Sequence, residues 1–367
     1  MKYKLAVLPG DGVGPELMNE EIKALEAIGK RFGHSFELKY GLIGGTAIDN
    51  EGTALSDDTL EMCRTTDAVM LIAVGGPKWD DPQAKVRPED GLLAIRKGLG
   101  LFANVRPVFT YDEMIDATPL KPNIVKGTDL IVIRELTGGL YFGRPKRQWT
   151  TSRGRRAVDS MSYSEQEIER IVRVGFELAR KRRKKITSVD KANVLQSSRL
   201  WRQITSEVAI DYPDVKLENM LVDTCSMRLI QTPTYFDVIV TENTFGDILT
   251  DEASVLAGSM GMLPSASLAE IPREGKRIFG LYEPIHGSAP TIAGQNIANP
   301  IASILTLAMM TRYSLGLPKE AQLIEDVVAQ VLKEGYRTPD IMSEGMIKVG
   351  TKEMGDLIAK RIMECKA

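Results

Sequence analysis

Residues 243–262 read NTFGDILTDEASVLAGSMGM, and the rest of the chain is organised around them. Two aspartates, Asp247 and Asp251, stand four positions apart at the head of an apolar helical pattern. Because residues i and i+4 lie on one face of a helix, their carboxylates would project side by side. Two interpretations are open. The pair binds a hard divalent cation such as Mg²⁺ or Mn²⁺, which prefers oxygen ligands, or it complements the dipole and cap of a helix start without a metal.

Length and composition indicate an ordinary globular protein. The 367 residues are enough for about two domains with a well-buried core. Hydrophobic residues make up 43% of the chain and charged residues 26%, which are the fractions of a globular domain. The 47 basic and 49 acidic side chains nearly cancel, which argues against a dedicated nucleic-acid binder or an acidic tail. We therefore expect an anionic partner to be bound by a local cluster of cations.

The cysteines and histidines are too few for several kinds of site. Three widely spaced cysteines suggest neither a disulfide framework nor a zinc site, and a reducing cytoplasm is the expected location. The N-terminal MKYKLAVL has one short apolar run, so we expect neither a signal peptide nor a membrane span there. His34, in a polar turn, is expected to be solvated. Acid–base chemistry should therefore rest on lysine, tyrosine or carboxylate groups.

Buried strands alternate with amphipathic helices along the chain. Strands are predicted near residues 4–8, 68–74, 186–189, 217–222 and 237–241, and helices near 16–31 and after 164, 299, 319 and 351. This alternation is typical of an α/β fold with at least partly parallel strands. The turn GDGVGPE at residues 10–16 lacks the spacing of a dinucleotide fingerprint, so we interpret it as a tight loop near the active site. Gly75 and Gly76 follow another strand, where a ligand can approach the backbone.

The segment PEDGLLAIRK, residues 88–97, is predicted to be an amphipathic helix. Its residues Glu89, Leu92, Leu93 and Arg96 fall on one side at spacings of three, four and seven. Taken in isolation, this pattern favours a helix with both leucines in the core and Arg96 in solvent.

Two further arginines come from other elements. Arg106 follows a short apolar run, and Arg134 closes a buried strand ahead of a Gly-Gly turn and Tyr141. A cation at the polar end of a strand is well placed to contact a ligand, and guanidinium groups bind carboxylates bidentately. Together with Arg96 they suggest a dicarboxylate or tricarboxylate substrate.

Polar residues also follow the later strands. Lys191, beside Asp190 and Asn193, is a candidate general base, and a solvated surface cation is the alternative. Asp223 is a candidate third metal ligand. The loop GLYEPIHGSAPTIAGQNIANP, residues 280–300, is rich in glycine, proline and small polar residues, so its free backbone N–H groups suit a nucleotide.

The segment RPKRQWTTSRGRR, residues 144–156, is basic and has no acidic residue. With a single tryptophan it is a weak candidate for nucleic-acid binding. An exposed hairpin, or an arm that pairs with a partner subunit, is the favoured interpretation.

In their order, these motifs resemble one family, the β-decarboxylating dehydrogenases of hydroxy acids, which includes isopropylmalate, isocitrate, homoisocitrate and tartrate/malate enzymes. The similarity is carried by GDGVGPE, RELTGGLYFG, DKANVLQSS, residues 243–262 and HGSAPTIAGQNIANP, and it covers essentially the full length. PEDGLLAIRK is similar to the substrate helix of the isopropylmalate enzymes, where a glutamate and two leucines receive a branched alkyl group. Isocitrate enzymes carry a serine there that contacts an additional carboxylate.

The resemblance implies a metal-dependent and NAD-dependent oxidative decarboxylation of 3-isopropylmalate to 2-oxoisocaproate in leucine biosynthesis. It implies that Lys191 takes the hydroxyl proton and that Tyr141 protonates the enol carbon, with Asp223 as a further catalytic residue. Mg²⁺ or Mn²⁺ would be held by Asp247 and Asp251 of one subunit and by Asp223 of the partner subunit. The substrate would contact Glu89, Leu92, Leu93, Arg96, Arg106 and Arg134, and the cofactor would contact Gly75, Gly76, His286, Gly287, Ser288, Ala289, Pro290, Thr291, Ile292 and Asn299.

The family fold is α/β with two domains and is not a standard Rossmann domain. The resemblance implies a discontinuous cofactor-binding domain over residues 1–103 and 259–367, a substrate domain over 104–258, and a dimerisation arm over about 142–163. The active sites would be shared in a homodimer, with no nucleic-acid or membrane partner. Members that use NAD usually carry an aspartate after HGSAP, where this chain has Thr291, so we predict NAD with a weakened preference over NADP.

Two alternatives stay open at this point. A sibling enzyme acting on D-malate, tartrate or homoisocitrate would share the same arginines and aspartates. A non-catalytic RNA-binding or scaffold protein that uses the basic segment is the alternative from another class.

Overall fold

The computed structural model describes residues 1–81, 83–273 and 275–365. Its strands are β1 (Lys2–Gly10), β2 (Ser35–Tyr40), β3 (Ala68–Ala73), β4 (Ala103–Phe109), β5 (Asp129–Glu135), β6 (Lys146–Thr151), β7 (Gly154–Asp159), β8 (Lys185–Asp190), β9 (Lys216–Leu221), β10 (Val238–Thr241), β11 (Ala266–Leu268), β12 (Gly280–Tyr282), β13 (Tyr336–Arg337) and β14 (Ile347–Lys348). Its helices are α1 (Gly14–Phe32), α2 (Gly45–Glu51), α3 (Asp57–Arg64), α4 (Pro88–Gly98), α5 (Pro122–Val125), α6 (Glu165–Arg180), α7 (Gln196–Ala209), α8 (Val222–Gln231), α9 (Asn243–Ser254), α10 (Ile301–Tyr313), α11 (Pro318–Lys333) and α12 (Thr351–Glu364).

Ten of the described strands form one mixed sheet, in the order β2-β1-β3-β12-β11-β4-β5-β10-β8-β9. The first four are parallel to one another, and the last four form a second parallel group. Between the groups, β11 is antiparallel to both neighbours and β4 is antiparallel to β5. Strands β3 and β10 are buried at every position, as expected for central strands of a sheet covered on both faces. The predicted α/β class is confirmed.

The strands and helices predicted from periodicity are all present, with ends that differ by a few residues. The expectation for His34 is wrong. Its side chain is only 9% exposed, and its Nε2 lies 3.1 Å from a carboxylate oxygen of Glu320 on α11. The turn between α1 and β2 folds against α11, a distant partner that the polar sequence around the histidine does not predict. None of the described helices combines the length and the apolar character needed to cross a lipid bilayer.

The predicted domain boundaries fall at one place in the sheet. Residues 1–103 and 259–367 supply the strands from β2 to β11 in the sheet order, and residues 104–258 supply those from β5 to β9, with β4 starting at the boundary. The ladder between β11 and β4 is continuous. The division into two domains therefore stays a prediction.

The basic segment forms a hairpin apart from the main sheet. Strands β6 and β7 pair antiparallel, with Lys146 opposite Asp159 and Thr151 opposite Gly154, and most of their side chains are exposed. The predicted exposed hairpin is present, and its use as a dimerisation arm stays a prediction.

The glycine turn after β1 organises two later loops. The buried carboxylate of Asp11 accepts the backbone N–H groups of Gly45 and Gly75, each at 2.7 Å. Gly12 has a φ of +59°, and a side chain there would collide with the carbonyl of Ser288 in the loop after β12. The turn therefore holds the loop after β3 and the loop after β12 close together.

Candidate active site

The register of two neighbouring strands places two arginines on one face of the sheet. Asn104 of β4 lies directly opposite Arg134 of β5. Because side chains alternate along a strand and paired residues share a face, Asn104, Arg106 and Arg134 project to the same side. Arg106 donates from Nε to Asn104 Oδ1 at 2.6 Å and from Nη1 to the hydroxyl of Thr250 on α9. Cross-strand pairing, not proximity in sequence, brings these cations together.

Arg96 enters the same region from α4. Its side chain is buried, and its Nη2 donates to Glu283 Oε2 at 3.2 Å. The expectation for this segment in isolation, with Arg96 in solvent and Leu92 and Leu93 in the core, is therefore wrong. The two leucines are half-buried and line a cavity. This face of α4 borders a ligand-sized cavity that has carboxylate side chains on its wall. The guanidinium of Arg96 can be buried there because Glu283 is its partner.

The six predicted substrate residues line one cavity of about 430 Å³. An apolar side is formed by the leucines of α4 and a polar side by the arginines. The described residues on its wall include Glu89, Leu92, Leu93, Arg96, Arg106, Arg134, Tyr141, Asp247, Glu283, His286 and Gly287.

Helix α9 brings Asp247 to the wall of this cavity and Asp251 close to one of its arginines. The Glu242 side chain caps the helix by accepting backbone N–H groups of its first turn. One oxygen of Asp247 is ion-paired with Arg134 Nη1, and the other accepts the Tyr141 hydroxyl at 2.8 Å. Asp251, one turn later, is exposed and lies 3.9 Å from Arg106 Nη1. The i, i+4 spacing therefore places each carboxylate beside a different arginine.

The pKa values of the two aspartates are shifted in opposite directions. Burial by itself raises the pKa of Asp247, but Arg134, the Tyr141 hydroxyl and Arg106 outweigh it, so the pKa is lowered overall. Burial raises the pKa of Asp251, because Arg106 offsets it only in part and Asp247 adds repulsion. Burial and then the hydrogen bond to Asp247 raise the pKa of Tyr141 to about 12, so its hydroxyl keeps its proton at neutral pH.

Asp247 and Asp251 supply the oxygen ligands that a hard divalent cation prefers, but two carboxylates do not complete its coordination shell. Both offer carboxylate oxygens from successive turns of one helix, whereas Mg²⁺ takes near-octahedral oxygen coordination. Within residues 1–81, 83–273 and 275–365, no three histidine, cysteine, aspartate or glutamate side chains are placed to share a metal ion. Asp223 therefore does not join the pair within this chain. Two carboxylates leave coordination positions for a substrate and for a further ligand.

Lys191 and Asp223 form a separate ion pair. Lys191 Nζ donates to Asp223 Oδ1 at 2.6 Å, and this hydrogen bond lowers the pKa of Asp223. Lys191 directly follows β8, and Asp223 lies in the first turn of α8 with an exposed side chain. Neither belongs to the described wall of the cavity. The structure thus separates these predicted catalytic residues from Tyr141.

Part of the predicted cofactor loop reaches the cavity. His286 and Gly287 line it, and His286 Nε2 is buried without a hydrogen-bond partner among the described residues. Burial lowers the pKa of His286, so the ring is neutral at pH 7. A buried ring nitrogen without a protein partner fits a polar group of a bound nucleotide. The loop continues from Ser288, which is buried against the glycine turn, to the exposed Thr291.

Other predicted cofactor residues have different surroundings. Asn299 lies two residues before the start of α10, where its Oδ1 accepts the Ile301 N–H at 2.9 Å, and its Nδ2 donates to Asp340 at 3.1 Å. The N–H of Gly75 is taken by Asp11. The Asn299 side chain and the Gly75 amide thus bond within the fold, and the predicted residues 288–292 are not among the described residues of the cavity wall.

The polar residues of this region that are not predicted from the sequence include Asn104, Asn243 and Glu283. Glu283 directly follows a buried strand, the same signal that identified Arg134. Burial raises the pKa of Glu283, although Arg96 offsets part of the shift. Asn104 is a polar residue inside an apolar strand, which is a signal for a buried hydrogen bond. Asn243 opens α9 and accepts hydrogen bonds from Arg134.

The chain is similar to known proteins over nearly its whole length. The isocitrate/isopropylmalate dehydrogenase family model matches residues 4–358. A 3-isopropylmalate dehydrogenase of Dehalococcoides mccartyi is 67% identical over 363 residues, which cover 99% of this chain and 100% of that protein. One from Aquifex aeolicus is 56% identical over 365 residues, which cover 100% of this chain and 98% of that protein.

Solved structures give the same result. The crystal structure of an isocitrate dehydrogenase from Methylococcus capsulatus aligns with a TM-score of 0.85 at 33% identity, covering 98% of this chain and 99% of that one. The apo β-decarboxylating dehydrogenase from Thermococcus kodakarensis aligns with a TM-score of 0.76 at 33% identity, covering 99% and 96%. The family and the fold indicated by the motifs are thereby confirmed: the chain belongs to the isocitrate/isopropylmalate dehydrogenase family.

Proposed function

We propose that this chain catalyses the metal-dependent and NAD-dependent oxidative decarboxylation of 3-isopropylmalate to 2-oxoisocaproate (4-methyl-2-oxopentanoate), a step of leucine biosynthesis. The observation that carries the proposal is the cavity in which three arginines face Leu92 and Leu93. A hydroxy-dicarboxylate with a branched alkyl substituent matches both sides of it. The full-length relatives named for this substrate support the assignment.

The leucines favour an isopropyl group over the substituents of sibling substrates. Burying a branched alkyl group against Leu92 and Leu93 contributes on the order of 1.5–3 kcal/mol. Homoisocitrate would place a carboxylate against the same apolar surface, at a desolvation cost. D-malate and tartrate would leave that surface without an apolar partner.

The remaining residues divide the roles of metal and cofactor binding. Asp247 and Asp251, with Asp223 of the partner subunit, would hold Mg²⁺ or Mn²⁺, and the loop 286–292 would hold NAD. When bound, NAD supplies the acceptor for the hydride on C2 of the substrate, and the metal supplies a Lewis acid beside the hydroxyl and carboxylate oxygens. Arg96, Arg106 and Arg134 hold the substrate carboxylates.

Two side chains move the protons. As a free amine, Lys191 Nζ accepts the proton of the C2 hydroxyl while the C2–H bond gives up its hydride. The carboxylate on C3 then leaves as CO₂, and the Tyr141 hydroxyl donates its proton to C3. The pKa of Tyr141, about 12, keeps that proton on the phenol until it is needed. Hydride, two protons and CO₂ are thus all accounted for.

We infer that the active unit is a homodimer. Lys191 and Asp223 lie outside the cavity that the proposed reaction requires them to reach. Two large apolar side chains, Met227 on α8 and Ile248 on α9, are 56% and 63% exposed on packed neighbouring helices. An apolar surface beside an incomplete site favours a second copy as its partner.

Mixing two inactive variants tests the shared site. Lys191→Met and Asp247→Asn each inactivate both sites of their own dimer. After co-refolding, half of the dimers are mixed and each holds one intact site, so activity should recover to about a quarter of wild type. No recovery, with mixed dimers demonstrated by mass spectrometry, would contradict the shared site.

The reaction itself is tested by NADH formation from 3-isopropylmalate with and without Mg²⁺. The same assay with D-malate, tartrate and homoisocitrate ranks the sibling substrates by kcat/KM, and D-malate equal to 3-isopropylmalate would overturn the role of Leu92 and Leu93. Comparison of NAD with NADP tests the effect of Thr291, where a clear advantage for NADP would refute our prediction. Tight RNA binding at physiological salt without turnover would favour the non-catalytic alternative.

A reducing compartment such as the cytoplasm is the location we propose. Among the described residues, Cys63, Cys225 and Cys365 are all free thiols. Burial raises the pKa values of Cys63 and Cys225 to about 12, so neither forms a thiolate at neutral pH.

A further inference from the structure

Asn243, the first residue of α9, connects two parts of the cavity. Its side chain is only 1% exposed. Its Oδ1 accepts hydrogen bonds from Arg134 Nε at 3.0 Å and Nη2 at 2.8 Å, and its Nδ2 donates to the Gly138 carbonyl at 3.1 Å. Gly138 directly precedes the 3₁₀ turn Gly139–Tyr141. One amide therefore links a substrate-binding cation to the backbone that carries the proposed proton donor.

The hydrogen bonds of Arg134 leave a defined edge for a ligand. A guanidinium has five N–H groups. Two of them donate to Asn243 and a third to Asp247. Two N–H groups remain without an acceptor among the described residues, which is the number that a bidentate carboxylate needs. Because Arg134 lines the cavity, Asn243 determines which edge of the guanidinium is available there.

The aliphatic stem of Arg134 is held by the same helical turn. A Cβ on Gly246 would lie 2.6 Å from Arg134 Cγ, so α9 contacts the stem through a residue without a side chain. The stem is thus restrained by Gly246 and the head by Asn243 and Asp247. The guanidinium is left with little rotational freedom, as preorganised binding requires.

Asn243 is itself anchored independently of Arg134. Its backbone N–H donates to the Tyr163 hydroxyl at 2.9 Å. The preceding Glu242 accepts the N–H groups of Thr244 and Phe245 at 2.9 and 2.7 Å. The start of α9 is therefore fixed by its own cap, and Asn243 imposes its geometry on Arg134 and on Gly138.

We propose that Asn243 is a positioning residue for the reaction proposed above, orienting the Arg134 guanidinium toward a substrate carboxylate and setting the Tyr141 turn against it. The inference rests on that proposed function and adds to it a residue that is not among the described residues of the cavity wall. Loss of the Asn243 amide would leave all the catalytic groups present but displaced from one another.

Steady-state kinetics of Asn243→Ala tests the proposal, with NADH formation from 3-isopropylmalate at saturating Mg²⁺. We expect KM to rise about 10-fold and kcat/KM to fall about 100-fold, the effect of misplacing catalytic groups by about 1 Å. Asn123→Ala, at an exposed position of α5, is the matched control and should keep wild-type values. Thermal unfolding shows whether each variant folds. Asn243→Ser keeps a residue favoured at helix starts but is too short to reach Arg134, so it should show the same losses.

A double-mutant cycle separates positioning from a general structural role. Arg134→Lys removes the guanidinium edge that Asn243 holds. If Asn243 acts through Arg134, Asn243→Ala should raise KM less than about 3-fold in the Arg134→Lys background, because coupled residues are not additive. The same 10-fold rise in both backgrounds, or a wild-type KM in both Asn243 variants, would overturn the proposal.

Failure of the proposed function has a different signature. It would appear as a wild-type protein that does not turn over 3-isopropylmalate. In that event, calorimetric binding of D-malate, a hydroxy-dicarboxylate probe, to wild type and to the Asn243 variants applies the same comparison. Equal affinities would overturn the positioning role, and about 10-fold weaker binding by the variants would support it.

Discussion

The arginine-lined cavity and the Lys191–Asp223 pair are both charged, yet they are built differently. Arg96, Arg106 and Arg134 are 7%, 7% and 3% exposed, and each donates a hydrogen bond to another side chain. Lys191 and Asp223 form an ion pair with each other, and their side chains are 29% and 58% exposed to solvent. Buried charges need partners, whereas an exposed ion pair contributes little to stability. The chain alone thus contains a preorganised binding half, and in the shared site that we propose the general base Lys191 would come from a second chain.

The largest effect is expected for a substitution in the Lys191–Asp223 pair. Lys191→Met should lower kcat by about 100- to 10,000-fold, the contribution of a positioned general base, and change KM little. Binding should change little because Lys191 is proposed to accept a proton and is not one of the arginines proposed to hold the substrate carboxylates. Steady-state kinetics with 3-isopropylmalate measures both constants, and Lys216→Met, at an exposed position of β9, is the control. A rise in KM that matches the fall in kcat would mean that Lys191 binds substrate.

Substitution of a buried arginine of the cavity should have the opposite effect and act mainly on KM. Burial and the neighbouring Arg134 lower the pKa of Arg106 to about 10, so it stays cationic at neutral pH. Arg106→Gln should reduce kcat/KM by about 100-fold, mainly through KM, because a buried carboxylate contact is lost. Arg64→Gln, on the exposed surface of α3, should be silent. A loss confined to kcat would show that Arg106 does not bind the substrate in this cavity.

The apolar wall of the cavity should govern selectivity and not turnover. Leu92→Ser should reduce the kcat/KM ratio of 3-isopropylmalate to D-malate by about 10-fold, the usual discrimination for one or two methyl groups. D-malate, which lacks the isopropyl group, serves as the internal control with an unchanged kcat/KM. If both substrates lose equally, the leucine supports the helix instead of reading the substrate.

The smallest effect is expected for a buried carboxyl group that lacks a partner. Glu21 on α1 is fully buried, and both its carboxyl oxygens lack hydrogen-bond partners within the described part of the chain. Burial raises the pKa of Glu21 well above its usual value, so the folded state favours the protonated acid. Its stabilising contribution is therefore full below pH 4.5 and is lost as the pH rises through the raised pKa.

Glu21→Gln removes this titration. Relative to the variant, the free energy of unfolding of wild type should fall between pH 4.5 and pH 8, by roughly 1.4 kcal/mol for each pH unit that lies below the raised pKa. Urea unfolding at both pH values measures the difference. Glu51→Gln, at an exposed position of α2, is the control, and parallel pH profiles for wild type and Glu21→Gln would contradict the prediction.

Sequence patterns and tertiary contacts contributed different parts of the site. The Asp247 and Asp251 spacing predicted two carboxylates on one helix face, because helical geometry is local. Local sequence patterns also predicted that Arg96 and His34 lie in solvent, and both predictions are wrong. An amphipathic pattern cannot tell a core from a ligand cavity, and a polar turn does not reveal the element that will cover it. Glu283 and Arg96 are 187 positions apart, so their contact leaves no local pattern.

By itself, the sequence determined the α/β class, the positions of the strands and helices, the family and the residue types of the site. Backbone periodicity and short motifs are local properties, so one chain suffices to read them. Tertiary structure alone decided that the β4–β5 register joins Arg106 to Arg134, that Asn243 holds Arg134 against the Tyr141 turn, and that Lys191 stays outside the cavity. Strand register and helix docking depend on which side chains are buried across the whole molecule. The sequence of one segment does not contain that information.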